Sequence, residues 1–171
     1  SEQNPKDWWD AFVSGVKELI SGTDKNEILG IGAGWQMHGL VALDKDDNII
    51  RPAILWNDGR TDKETAYLNE VIGKEKLSAF TANIAFAGFT APKILWLKNN
   101  EPCVFSQISR IYFEKDYIRH FLTGVFATDY IEAEGSMLFD FDRRAWDEHL
   151  LSLVGLSERE AVSRLLSAGL A

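Results

Sequence analysis

Two residues that could hold a small polar molecule, Met37 and His38, stand side by side in the stretch GAGWQMHGLVALD, residues 32–44. An imidazole can both donate and accept hydrogen bonds, and a thioether offers an adaptable apolar surface. In a bend between two apolar runs, the pair could contact both the polar and the apolar face of one ligand. The simpler alternative is a hydrogen-bonded structural histidine beside a methionine that fills the core.

A second candidate group, Asp58 and Arg60, lies in LWNDGRT, residues 55–61. We expect this stretch to be an ordered loop at the end of a strand, where binding residues are common. The carboxylate and the guanidinium could bind a ligand, or they could form an ion pair that only stabilises the loop. Trp56 and Trp96 are interpreted as packing residues rather than as stacking platforms.

Several enzyme classes have self-sufficient motifs that this sequence lacks: the P-loop, G-x-G-x-x-G, H-E-x-x-H and the G-x-S-x-G elbow. The three histidines are far apart in the sequence and Cys103 is the single cysteine, so no metal-ligand spacing occurs. The sequence therefore argues against a metalloenzyme or a triad hydrolase. No residue is nominated as catalytic, and none as a metal ligand.

The elements that position these residues alternate between helices and strands, which predicts an α/β protein. Asn4 and Pro5 are typical of a helix start, and Pro52 indicates that the strand containing it lies at a sheet edge or leaves the sheet there. Strands are predicted at 27–33, 39–44, 48–55, 110–114 and 125–130, with the turn KDDN joining the second and third. Further helices are predicted at 62–73, 74–80, 90–100 with Thr90 as its cap, 115–122 ending at Gly124, and 146–156.

Length and charge limit the function further. A chain of 171 residues with 46% hydrophobic and 26% charged residues is one folded domain or part of one. Its formal charge of -8, without a dense cluster of lysines and arginines, argues against a nucleic-acid partner. Without a signal peptide or an apolar run of about 20 residues, we expect no membrane association and a cytoplasmic location. The oligomeric state stays open.

Four stretches occur in an informative order: QMHG (36–39), RPAILWNDGRT (51–61), GFTAPKILWLKNN (88–100) and KDYIRHFLTGVFATD (115–129). Together they resemble the FGGY family of sugar kinases, and within it the members that phosphorylate xylulose. The resemblance extends to about Leu156. It includes a near-complete family signature with Lys93 and Trp96 in place, which we interpret as helix packing and charge rather than catalysis.

The resemblance implies an incomplete N-terminal domain of a two-domain sugar kinase, with a ribonuclease-H-like (actin-like ATPase) fold. The complete enzyme would transfer the γ-phosphoryl group of ATP to a ketose, converting D-xylulose to D-xylulose 5-phosphate. Met37 and His38 would contact this small-molecule substrate. Asp58 and Arg60, together with the segment 83–89, would border the same pocket.

The same resemblance places the ATP site, Mg²⁺ and the catalytic base outside this chain. No aspartate is therefore nominated as the base, and Asp129 is rejected for that role. Residues 1–156 are predicted to be part of the N-terminal sugar-binding domain, and residues 157–171 a divergent or truncated C-terminal tail. On its own, the chain is expected to be inactive as a kinase.

Three departures from the family pattern are visible: Trp35, Glu114 and Glu134. A large indole at position 35 could narrow the pocket or change which sugar fits. Two further hypotheses remain open beside the kinase, namely a stand-alone sugar-binding or regulatory module without kinase activity, and an inert α/β remnant. Within the kinase interpretation, gluconate, ribulose and glycerol-type substrates are the alternatives to xylulose.

Overall fold

In the computed structural model, which describes residues 1–156 and 164–166, a short strand β1 (Glu2–Gln3) precedes helix α1 (Pro5–Leu19). The side chain of Asn4 accepts a hydrogen bond from the backbone N–H of Lys6, and Pro5 occupies the first helical position. The predicted helix start is confirmed.

The predicted buried strand at 27–33 is wrong. Lys25–Glu27 form one turn of 3₁₀ helix, and residues 28–36 have no regular structure. Leu29 is 98% exposed and Ile31 is 57% exposed. Within the described part of the chain, no strand pairs with this segment. An apolar run forms a strand only where its backbone groups find a neighbouring strand, so the residue pattern alone was not enough.

The predicted hairpin after this segment is present. Strand β2 (Val41–Leu43) turns at residues 44–48, where the backbone N–H of Asp44 donates to the carbonyl of Asn48. The returning chain bridges to Leu43 of β2 at Ile49, and to Leu40, just before β2, at Ile54, the last residue of strand β3 (Ala53–Ile54). β3 also pairs with β1, and Pro52 stands immediately before it.

Helices dominate the rest of the chain, and most lie where the sequence predicts them. Gly124 ends one of them in a left-handed conformation with φ 71°, as expected of a glycine at a helix C-terminus. The helices are α2 (Asp62–Leu68), which continues as a π-helical segment (Asn69–Gly73), α3 (Lys74–Thr81), α4 (Thr90–Asn100), α5 (Pro102–Phe105), α6 (Glu114–Thr123), α7 (Tyr130–Gly135) and α8 (Glu148–Val154).

The remaining strands are short. They are β4 (Arg110–Tyr112), antiparallel to β2, β5 (Ala127–Asp129), parallel to β8 (Arg164–Leu166), and the antiparallel pair β6 (Phe139–Asp140) and β7 (Ala145–Trp146). The predicted tail at 157–171 lies outside the described residues apart from β8. None of the helices in residues 1–156 is long and apolar enough to cross a membrane.

Strand β2 separates two apolar cores. Leu40, just before it, and Ala42 face a core built with helices α2, α4 and α8. Val41 and Leu43 face a second core, which contains Trp8 of α1 and residues of α6. Because successive side chains of a strand point to opposite faces, this one strand holds helices on both sides. The α/β class is confirmed, and residue 38 lies where the chain enters β2.

Candidate functional site

The turn that enters β2, here called the His38 turn (residues 36–39), has an uncommon backbone. His38 has φ 67°, in the left-handed region that side chains other than glycine rarely adopt. Gly39 follows, and the carboxylate of Glu114 occupies the space that a Cβ at Gly39 would need. Only glycine therefore fits at position 39, and the strained residue before it must be held by its surroundings.

A buried lysine from helix α4 holds the carbonyl of His38. Lys93 has no exposed surface, and its Nζ donates to the carbonyl oxygens of His38 at 2.6 Å and of Gly88 at 2.7 Å. The hydroxyl of Thr90 donates to the same His38 carbonyl at 3.3 Å. The expectation that Thr90 caps α4 is wrong, since Phe89 is the N-cap residue and no side chain caps this helix.

Two buried carboxylates contact the backbone N–H groups of the same turn. The carboxylate of Glu114 lies against Gly39 and makes a polar contact with its N–H, and Glu132 makes a polar contact with the N–H of His38. Burial raises the pKa of Glu114 to about 7, against the opposing charge of Lys93. Burial likewise raises the pKa of Glu132 to about 7. Burial acts in the opposite direction on the lysine and lowers the pKa of Lys93 to about 8.

The imidazole of His38 lies in a slot between an aromatic ring and a glycine. The ring centroid of Phe89 is 4.4 Å away in an edge-on arrangement, and a Cβ on Gly135 would lie 2.6 Å from Cε1 of His38. Burial lowers the pKa of His38, the charge of Lys93 lowers it further, and a polar contact with the Gly135 backbone offsets part of this. No well-formed hydrogen bond to Nδ1 comes from the described residues.

This environment keeps the imidazole neutral near neutral pH, so it has one donor and one acceptor nitrogen. The preceding residue, Met37, is 56% exposed. The structure thus places an exposed thioether and a neutral imidazole next to each other along the chain, as the sequence suggested.

The second predicted pair behaves differently. In the Asp58 loop (residues 55–61), the carboxylate of Asp58 accepts from Nε of Arg60 at 2.7 Å and from its NH2 group at 2.9 Å. The guanidinium also lies over the ring of Trp96, 4.8 Å from its centroid, and forms an ion pair with Glu2 at 2.7 Å. Asp58 is only 5% exposed. Burial would raise the pKa of Asp58, but the hydrogen bonds from Arg60 outweigh it and lower the pKa well below its usual range.

The segment 83–89 connects the two regions. The hydroxyl of Thr61 donates to the carbonyl of Ala87 at 2.8 Å, and a Cβ on Gly88 would meet the carbonyl oxygen of Trp56. Gly88 in turn accepts from the lysine that holds the His38 turn. Trp56 and Phe86 are half exposed. The Asp58 loop and the segment 83–89, which the sequence analysis places at one pocket, are therefore in contact, and each has a half-exposed aromatic side chain.

Trp35 and Asp129, which the sequence analysis also discusses, both make structural contacts. Trp35 packs against Trp8, 5.9 Å between ring centroids, and remains half exposed. Asp129 caps helix α7 through the backbone N–H of Glu132 and forms an ion pair with Lys115, which is a structural role. Sequence reasoning missed the supporting role of Glu132 altogether. A clue was available only for Glu114, which departs from the family pattern.

Comparison with solved structures defines the class of the fold. The chain superposes on a xyloylose kinase from Brucella ovis with a TM-score of 0.91 and 38% identity, covering 97% of this chain and 34% of that one. It superposes on a gluconate kinase from Lactobacillus acidophilus with a TM-score of 0.89 and 27% identity, covering 96% of this chain and 33% of the other. It therefore has the ribonuclease-H-like (actin-like ATPase) fold, as part of an N-terminal domain.

The family profile described as "FGGY family of carbohydrate kinases, N-terminal domain" matches residues 1–170. The chain belongs to the FGGY family of carbohydrate kinases. It is 40% identical over 165 residues to the xylulose kinase of Klebsiella pneumoniae, covering 96% of this chain and 34% of the relative. It is 39% identical over 157 residues to the xylulose kinase of Escherichia coli (strain K12), covering 92% and 32%. The chain spans about a third of the length of these relatives.

Proposed function

We propose that this chain supplies part of the sugar site of an ATP-dependent carbohydrate kinase, and that the sugar is D-xylulose, which the whole protein converts to D-xylulose 5-phosphate. Met37 and His38 contact the sugar. Asp58 and Arg60 border the pocket and shape its wall. Residues 1–156 form part of the sugar-binding domain, and we expect the whole protein in the cytoplasm.

One observation carries the proposal: the left-handed turn at His38 presents a neutral imidazole beside an exposed thioether. A sugar has hydroxyls on one side of each carbon and C–H groups on another, so it needs a donor–acceptor group and an apolar wall together. The similarity to xylulose kinases of Klebsiella pneumoniae and Escherichia coli supports a ketose as the ligand.

The phosphoryl donor and its metal ion belong to the proposal, but not to this part of the protein. Within residues 1–156 and 164–166, no three side chains of His, Cys, Asp or Glu are placed to hold a metal ion together. We place the ATP and Mg²⁺ sites outside these residues because the family resemblance implies it, and we derive no catalytic step through them. What these residues do is bind and orient the ketose.

Calorimetric titration of D-xylulose into the purified chain tests the proposal. We expect saturable binding in the wild type and its loss in His38→Ala, because the variant removes the donor–acceptor group of the turn. His149→Ala is the matched control, since His149 is exposed on helix α8. Equal affinity in wild type and His38→Ala would remove His38 from the sugar site.

Gluconate is the second candidate, because a gluconate kinase is among the similar solved structures, with a TM-score of 0.89. D-gluconate is therefore titrated in parallel. Tighter binding of gluconate than of xylulose would keep the site and change the substrate. Binding without phosphoryl transfer in the whole protein would favour the regulatory module over the kinase.

A further inference from the structure

Three buried ionisable side chains converge on one short piece of backbone, from three different helices. Lys93 of α4 donates to the carbonyl of His38 at 2.6 Å. Glu132 of α7 makes a polar contact with the N–H of His38. Glu114 at the start of α6 lies against Gly39 and accepts from the side-chain amide of Gln36 at 3.2 Å. The exposed fractions of these three side chains are 0%, 7% and 0%. Both backbone polar groups of His38 and the N–H of Gly39 are thus contacted by ionisable side chains.

Burying ionisable groups is unfavourable unless each finds good partners. No ion pair at bonding distance joins these three side chains to one another, and Lys93 donates to two backbone carbonyls. One oxygen of Glu114 and one of Glu132 have no hydrogen-bond partner in the described part of the chain. Buried ionisable groups of this kind contribute little net stability. Buried polar groups can instead specify one conformation.

The conformation they specify is the strained one. His38 is left-handed, and the direction of its side chain follows from that backbone geometry. If the turn relaxed to an ordinary conformation, the imidazole would leave its slot against Gly135, and Met37 would move with it. Fixing the turn therefore fixes both proposed sugar contacts.

We propose that Lys93, Glu114 and Glu132, here called the support residues, are positioning residues that hold the His38–Gly39 backbone so that Met37 and His38 face the sugar. This inference rests on the proposed function for its ligand. The support residues do not touch the sugar themselves. They act through the backbone of the His38 turn.

The first arm of the test measures D-xylulose affinity by calorimetry in the whole 171-residue chain. We expect Lys93→Met to weaken binding by about tenfold or more, because the turn loses its main carbonyl partner. Lys98→Met is the matched control, since Lys98 is exposed on the same helix. Thr90→Val removes one hydroxyl from the same carbonyl and should weaken binding by about threefold without unfolding the chain.

A pair of variants at position 132 separates hydrogen bonding from charge. Glu132→Gln keeps an acceptor for the N–H of His38 and should retain affinity within about threefold, whereas Glu132→Met should behave like Lys93→Met. Equal losses in the two variants would show that the acceptor is not what matters, and would overturn the role of Glu132.

The second arm is amide hydrogen exchange by NMR, which needs no ligand. In Lys93→Met we expect faster exchange at His38 and Gly39, with unchanged protection in β2 residues such as Ala42. Faster exchange throughout the chain would mean a general loss of stability and would overturn the proposal, as would unchanged exchange at residues 38 and 39. If the wild type binds neither xylulose nor gluconate, the sugar proposal fails, and this arm still decides whether the support residues hold the turn.

Discussion

The His38 turn and the Asp58 loop both contain charged or polar groups in tight backbone, but they arrange their hydrogen bonds in opposite ways. In the Asp58 loop, Asp58 and Arg60 pair with each other, and Trp96 covers the guanidinium. In the His38 turn, side chains from other helices contact the backbone, Nδ1 of the imidazole is buried against Gly135, and no hydrogen bond among the described residues uses Nε2.

This difference shows where ligand binding is available. A group whose donors and acceptors are already paired must lose those bonds before it can bind anything else, whereas an unpaired group loses nothing. By this criterion Nε2 of His38 is open to a ligand, whereas Asp58 and Arg60 are already paired with each other. We therefore expect substitutions in the turn to change binding mainly, and substitutions in the loop to change stability mainly.

The largest expected effect comes from Gly135→Ala. The new methyl group would lie 2.6 Å from Cε1 of His38, so the imidazole must leave its slot. We expect D-xylulose binding to weaken by about a hundredfold, measured by calorimetry. Gly59→Ala is the matched control in the Asp58 loop, because a Cβ there meets nothing within 4 Å. Equal affinities in Gly135→Ala and Gly59→Ala would show that the slot does not position the imidazole.

The sequence predicts the helices and the β2 hairpin well because their signals are local. Asn4 beside Pro5 marks one helix start, and Gly124 marks a helix end, whatever the rest of the chain does. The strand predicted at 27–33 failed because a strand depends on a partner that lies far away in sequence.

The candidate site shows the same limit. Met37 and His38 could be proposed from their chemistry, but the sequence left two alternatives for Asp58 and Arg60, a ligand-binding pair and an ion pair that stabilises the loop. Glu132 lies in a sequence, DYIEAEG, where nothing distinguishes a buried glutamate from an exposed one. Its burial results from helix α7 packing beside the His38 turn, which no local pattern encodes.

A second, smaller effect is expected in the Asp58 loop. Asp58→Ala leaves the guanidinium of Arg60 without its bidentate partner, and should lower the free energy of unfolding by about 2 kcal/mol. Urea unfolding measures this, and a double-mutant cycle with Arg60→Ala isolates the pair. The comparison would be wrong if Asp58→Ala kept its stability but lost D-xylulose binding, because the carboxylate would then serve the ligand directly.

The smallest expected effect is a pH dependence of opposite sign in the two regions. The pKa of Asp58 is depressed in the folded state, so its contribution to stability is present above its ordinary value of about 3.9 and is lost as pH falls below that. The pKa of Glu132 is raised to about 7. Between about pH 4.3 and pH 7, Glu132 is therefore protonated more often in the folded state than in the unfolded state, so the free energy of unfolding falls as the pH rises.

Urea unfolding at pH 4.5, 6, 7 and 8 distinguishes the contributions of Glu132 and Asp58. The free energy of unfolding of Glu132→Gln and of Asp58→Asn is compared with that of the wild type at each pH. Glu114 titrates in the same range and the charge of Glu132 raises its pKa, so the difference also contains a change in the titration of Glu114. Glu132→Gln should match the wild type near pH 4.5 and become progressively more stable than it as the pH rises to 8, since it never acquires a buried charge. Asp58→Asn should differ from the wild type by a constant amount over this whole range. A difference for Glu132→Gln that does not change with pH would mean that the carboxylate stays ionised throughout. An ionised carboxylate would then contact the His38 turn at every pH tested, as the ionised Asp58 does in the Asp58 loop.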